Sequence, residues 1–113
     1  MEQEKEIIKM LHEIGTPENL RGYYYYLIEA IKITIANKET VLEMTKNIYD
    51  PVGKQFGVTA KQVSTAITRA IERTWDCGDL DMLCNYLGDT IANAPEPPSN
   101  SEFIAVAAEK IRL

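Results

Sequence analysis

Three features of this 113-residue sequence predict an all-α fold, a compact multi-helix domain built around a helix-turn-helix. Apolar residues recur three and four apart along nearly the whole chain, the spacing of one helix face. Gly and Pro cut that pattern into short pieces. The strict apolar–polar alternation of a half-buried strand appears nowhere, and there is no internal repeat or low-complexity tail.

Ile7, Ile8, Leu11 and Ile14 give residues 3–14 one apolar stripe, and Gly15 ends that helix. Thr16-Pro17-Glu18 opens a second segment, with Pro suited to a first helical turn. Its apolar positions, up to Asn37, are Leu20, Tyr24, Leu27, Ile28, Ile31 and Ile35. The run Tyr23–Tyr26 must face every side of this helix, so some rings belong to the core and some to its margin; the other reading is a stacking site for bases. Asn37-Lys38 breaks the pattern. Thr40 is placed to cap a helix carrying Val41, Leu42, Met44, Thr45 and Ile48. Asp50-Pro51 starts a short helix, Asp as cap and Pro at its first position, and Gly57 ends it. Residues 60–75 form the next helix, closed near Gly78. Asp79 to Leu87 read as a short acidic helix ending at Gly88. APEPPSN, residues 94–100, is the Pro-rich loop, and Ser101 is expected to cap a last helix, Glu102 to Arg112. This makes roughly seven helices in a single domain spanning 1–113.

A hydrophobic content of 45% supports one core. No apolar run approaches the ~18 residues of a membrane span, and MEQEKEIIKML has no signal-peptide apolar region, so a cytoplasmic protein without membrane contact is expected. Cys77, Cys84 and a lone His12 are too few for a zinc set and read as two reduced, partly buried thiols with no catalytic context. Asp76, Asp79 and Asp81 lack the spacing of a calcium loop and read as helix capping and solvation. Trp75, at the end of an apolar stripe, is expected in the core. There is no phosphate-cradling glycine loop, no metal-spaced cluster and no nucleophile–base pair, so neither an enzyme nor a metal or cofactor is expected.

The net charge of −5 argues against indiscriminate nucleic-acid binding, but it is unevenly spread. Residues 1–20 carry five Glu against two Lys; residues 21–75 carry eight Lys and Arg against five Asp and Glu; residues 76–113 carry seven Asp and Glu against two Lys and Arg. Only the central block suits a polyanion. Within it lies FGVTAKQVSTAITRAI, Phe56 to Ile71, a glycine turn followed by an apolar-striped helix. A helix-turn-helix, about residues 50–75, needs a tight turn and a close helix crossing. Gly53 supplies the small residue, Val52 and Phe56 the apolar grip, Gly57 a positive φ, and Val58 a plug at the junction. Val63, Ala66, Ile67, Ala70 and Ile71 form the buried stripe of the second helix.

Its opposite face carries Lys61, Gln62, Thr65, Thr68, Arg69 and Glu72, with Ser64 and Arg73 at the margins. Gln62 suits an adenine edge, Arg69 a guanine or a phosphate, and Thr65 a thymine methyl. Lys54, Lys46 and Lys61 suit phosphates, which supply affinity but not sequence. The bland reading of each is a solvated surface residue.

HEIGTPENLRGYYYYLIEAI, IYDPVGKQFGVTAKQVSTAITRAIERTW and NSEFIAVAAEKIRL, in this order, make the chain resemble the C-terminal effector domain of the stage-zero sporulation response regulator, a transcription factor of endospore-forming Firmicutes. The likeness runs from about Ile8 to Leu113. It implies an all-helical domain around a helix-turn-helix that binds double-stranded DNA boxes, often in tandem copies, and activates or represses promoters. It implies that the helix at Asp79–Leu87 engages the RNA polymerase sigma factor and that Ser101–Leu113 contributes to a homodimer on DNA. The family usually carries a receiver domain, so this chain is read as an excised piece or a stand-alone member. Gln62 and Thr65 stand where the family has Arg, and Ser64 where it has Glu. A bidentate Arg–guanine contact is worth roughly 1–3 kcal/mol of discrimination, so losing two lowers affinity for the family's box on the order of a hundredfold or more.

Two functions follow as expectations. The first is a sequence-specific DNA-binding regulator with altered base-reading residues. The second is a protein-interaction module that has lost specific DNA binding and engages RNA polymerase or a related regulator.

Overall fold

The computed structural model describes residues 2–18 and 22–112. Among them there is no strand, and the seven α-helices are α1 (Glu2–Ile14), α2 (Gly22–Ala36), α3 (Asp50–Phe56), α4 (Ala60–Cys77), α5 (Leu80–Leu87), α6 (Asp89–Ala92) and α7 (Asn100–Arg112). The chain between α2 and α3 is helical but not α: a 3-10 segment, Lys38–Glu43, and a π-helical turn, Thr45–Tyr49. The all-α expectation holds.

α2 is the central helix, flanked chiefly by α4 and α7. Its Leu27 and Ile31 meet Val63, Ile67 and Ile71 of α4, Phe103 and Ile104 of α7, and Ile7, Leu11 and Ile14 of α1 in one apolar cluster. Each large aliphatic side chain buried in this way contributes about 1.5–3 kcal/mol. Arg112 closes the far end of α7 onto α2: its guanidinium donates to the Thr34 and Ile35 carbonyls at 2.8 and 2.9 Å, which the last turn of α2 leaves without helical partners.

The turn after α1 touches the turn after α4, backbone against backbone. Gly15 has φ +94°, and a Cβ there would lie 2.7 Å from the Gly78 Cα. The Asp79 N–H donates to the Ile14 carbonyl at 3.2 Å. The buried Thr16 and Thr74 hydroxyls bond at 2.8 Å. Thr16 is therefore a buried tie and not the start of α2, which begins at Gly22; Leu20 lies outside the described residues.

Three other expectations change. Asn37, not Thr40, caps the helical segment before α3, accepting the Glu39 N–H at 3.0 Å. Thr40 instead donates back to the Asn37 carbonyl at 2.8 Å. The 3-10 geometry turns Leu42 out to solvent, 80% exposed. Asp50 makes no side-chain cap, because the chain runs into α3 without a break and the Asp50 N–H donates to the Thr45 carbonyl five residues back. Pro51 has no N–H with which to continue the α ladder, and the widened π turn accommodates it. At α7, Ser99 and not Ser101 is the cap: its hydroxyl accepts the Glu102 N–H at 3.2 Å.

The tyrosine run divides as expected. Tyr24 is buried, Tyr26 half-buried and Tyr25 exposed; the Tyr23 side chain lies outside the described residues. Trp75 is half-buried, its ring edge-on to Phe103 with centroids 5.9 Å apart. Cys77 is exposed, not partly buried, and Cys84 is half-buried; both are free thiols. No helix among the described residues is long and apolar enough to cross a membrane, and no group of three or more His, Cys, Asp or Glu there is placed to hold a metal ion.

Candidate nucleic-acid interface

α3 and α4 meet at a turn built by two glycines. A Cβ on Gly53 would lie 2.6 Å from the Val58 carbonyl oxygen, so only glycine lets the turn pass over α3. Gly57 closes α3 with φ 72°, and the Val58 N–H reaches back to the Gly53 carbonyl at 2.9 Å. Val52 is fully buried and supplies the grip. Phe56 does not: it is 39% exposed and lies against Tyr26, ring centroids 5.1 Å apart.

α4 starts with a reciprocal cap. The Thr59 hydroxyl accepts the Gln62 N–H at 3.0 Å, and the Gln62 side-chain oxygen accepts the Thr59 N–H at 2.8 Å. Val63, Ala66, Ile67, Ala70 and Ile71 then bury one face, together with Thr74. Lys61, Gln62, Thr65, Thr68, Arg69 and Arg73 are exposed on the other side, as is Lys54 on α3; Ser64 is half-buried.

The exposed candidates do not form one set. Lys61, Gln62, Thr65 and Arg69 line a single groove of about 410 Å³, with Tyr26 of α2 at its edge. Thr68 lines a different groove, of about 480 Å³, shared with Glu72, Glu96 and Asn100. Its hydroxyl lies 3.0 Å from the Ser64 carbonyl and 3.0 Å from the Asn100 amide nitrogen. Lys54 and Arg73 line neither groove. Tyr26 belongs to the run that the sequence offers as a stacking site for bases without singling out one ring, and Asn100, at the end of a loop, escaped sequence reasoning.

Chemically, the groove offers two cations and a methyl-bearing hydroxyl. Gln62 offers less than its residue type suggests. A bidentate adenine contact needs both its amide oxygen and its amide nitrogen, and the oxygen is already a helix cap. Releasing it costs about 1 kcal/mol of cap energy. The cations are uncompensated: among the described residues, the ion pairs are His12–Glu18, Lys32–Glu4, Lys32–Glu29 and Arg112–Glu109, and none involves Lys46, Lys54, Lys61, Arg69 or Arg73. Side chains of this kind exchange water and counterions for phosphate with little internal cost.

A family model described as the C-terminal domain of the sporulation initiation factor Spo0A matches residues 7–111. That span runs from the middle of α1 into the last turn of α7 and includes the glycine turn and the cationic side of α4. The chain therefore belongs to the Spo0A C-terminal family, whose domain is the DNA-binding domain of a sporulation transcription factor.

Proposed function

We propose that this chain is a sequence-specific transcriptional regulator that docks α4 in the major groove of double-stranded DNA and reads a target other than the family's usual box. The observation that carries this reading is the groove in which Thr65 and Arg69 stand together beside Lys61, neither cation having an ion-pair partner among the described residues. Thr65 offers a methyl to thymine, and Arg69 a fork to guanine or a phosphate. Lys61, Lys54, Lys46 and Arg73 hold the backbone, and Gln62 contributes its amide N–H donors while its oxygen stays in the cap. Binding, without chemistry, is the whole mechanism. The chain acts in the cytoplasm, where the chromosome is. Following the family resemblance, the acidic helix α5 faces the sigma factor and α7 pairs two copies on DNA.

Fluorescence anisotropy with a duplex carrying the family's box, a scrambled duplex and a randomised pool, each at two salt concentrations, tests the reading. Saturable, salt-sensitive binding with enrichment of one sequence from the pool is expected. Arg69→Ala should lower affinity for the enriched duplex about tenfold or more and relax preference at one base pair. Flat curves on every duplex from folded protein would sink it.

A second reading, a protein-interaction module, draws on a specific observation. The side chains of Gln62 and Thr68, two of the candidates on α4, are engaged in bonds within the protein. Enrichment of a sequence from the pool would exclude it.

A further inference from the structure

The side of α4 that carries Ser64 and Thr68 is held from behind by one residue of α7. The Asn100 amide nitrogen lies 3.0 Å from the Tyr49 hydroxyl, 3.0 Å from the Thr68 hydroxyl and 3.3 Å from the Ser64 carbonyl. Its oxygen lies 3.3 Å from the same Thr68 hydroxyl. An amide has two N–H donors. Giving them to Tyr49 and Thr68 leaves the Thr68 hydroxyl to donate to the Ser64 carbonyl at 3.0 Å. Tyr49 is only 9% exposed and is fixed by the core, which makes it the anchor.

Elsewhere α4 is held through Val63, Ala66, Ile67, Ala70 and Ile71, and near its C-terminal end, away from Thr65 and Arg69, by the Thr74–Thr16 hydroxyl bond. Apolar contacts fix its distance from α2 but are non-directional, so they constrain rotation about its axis weakly. Hydrogen bonds are directional. A roll of roughly 10° moves a side-chain tip about 6 Å from the axis by about 1 Å, which is enough to spoil a base contact.

We propose that Asn100 is a positioning residue for sequence reading: by tying Ser64 and Thr68 to Tyr49 and the first turn of α7, it sets the rotation of the recognition helix and so the aim of Thr65 and Arg69. The inference rests on the DNA-reading function proposed above and adds α7 to the elements that determine specificity. Phosphate contacts made by long, flexible Lys side chains tolerate a small roll, so Asn100 governs selectivity and not general affinity.

The test uses the full chain and four proteins: wild type, Asn100→Ala, Tyr49→Phe and the double variant. Each is titrated, well below its melting temperature, against the duplex enriched from the pool and against a scrambled duplex. Asn100→Ala should lower the ratio of the two affinities about threefold to tenfold, the range of one or two neutral hydrogen bonds, with binding to the scrambled duplex and its salt dependence unchanged. Tyr49→Phe should lower it less, and the double variant no more than Asn100→Ala, because both changes cut one network. An unchanged ratio in Asn100→Ala, or losses that add, would overturn the proposal and leave the DNA-reading function intact. If wild type selects no duplex at all, the function itself fails, and amide hydrogen exchange decides on Asn100: faster exchange confined to residues 64–69 of Asn100→Ala supports positioning, and rates equal to wild type overturn it.

Discussion

Gly53 and Gly57 stand four apart and are glycine for different reasons, which makes them separable by experiment. At Gly53 a methyl group would enter the Val58 carbonyl, a backbone atom that cannot step aside. At Gly57 nothing lies within 4 Å of the place a Cβ would take, and the requirement is the positive φ of 72° alone. Gly57→Ala should therefore cost about 1 kcal/mol, the ordinary penalty for a left-handed alanine. Gly53→Ala should cost on the order of 3 kcal/mol or more, because the turn must move off α3. Urea unfolding of the two variants checks the order, and a larger loss at Gly57 would contradict this account of the turn. Both glycines were legible in the sequence, as was the buried stripe of α4, because each obeys a local rule of turn or period. What Ser64 and Thr68 do was not. Their partner Asn100 lies 36 and 32 residues away, and no local pattern announces a contact of that range. Gln62 was visible as an exposed amide, but its role as the far half of a cap depended on a hydrogen bond that competes with base reading.

Among the elements, α5 is secured to α1 as well as to α6 and α7. The Tyr86 hydroxyl donates to the Glu13 carboxylate, and the Ile14–Asp79 backbone bond closes the same corner. The carboxylate accepts the phenol's proton bond and resists its ionisation, and partial burial adds to this, so the Tyr86 pKa is pushed from 10.0 up to about 12. An acid whose folded-state pKa is raised is stabilised in its neutral form. The contribution is whole below pH 10 and is lost as pH rises through 12. Stability followed by denaturant midpoint should fall across that interval, and Tyr86→Phe should flatten that part of the curve; an unaltered slope in the variant would remove the tyrosine from this role. Apolar spacing found α5 and α1 readily, since both are regular amphipathic helices. It could not tell 3-10 and π geometry from α between Lys38 and Tyr49, because hydrophobic period identifies a helical face and not its hydrogen-bond register. The misplaced caps have the same origin. Asn37 and Ser99 each stand two or three residues from another capping-competent side chain, and only the backbone path decides between them.

Over the whole molecule, charge governs the proposed approach to DNA. A net charge of −5 repels a polyanion at long range, while the block from 21 to 75 is net positive by three, from eight basic against five acidic residues. The acidic ends fold into α1, α5, α6 and α7, and the cations Lys46, Lys54, Lys61, Arg69 and Arg73, which have no ion-pair partner among the described residues, fall on the segment from the π turn through α4. Attraction is therefore local and is felt only within about a Debye length, ~10 Å at 0.1 M salt. Two consequences separate this chain from a uniformly basic binder. Affinity for scrambled duplex should be weak at physiological salt, so a larger share of specific binding must come from base contacts. The salt dependence should also be shallow. If all five cations met phosphates the slope of log affinity against log salt would be about −4.5, and Arg69 committed to a base lowers its magnitude to about 3.6. Lys61→Ala should reduce the magnitude by about one further unit and weaken selected and scrambled duplexes alike, whereas Arg69→Ala should weaken the selected duplex most. Anisotropy titrations over a salt series measure both. A slope unaltered by Lys61→Ala would mean that the N-terminal turn of α4 does not approach the backbone, and the docking of this helix in the major groove would have to be abandoned.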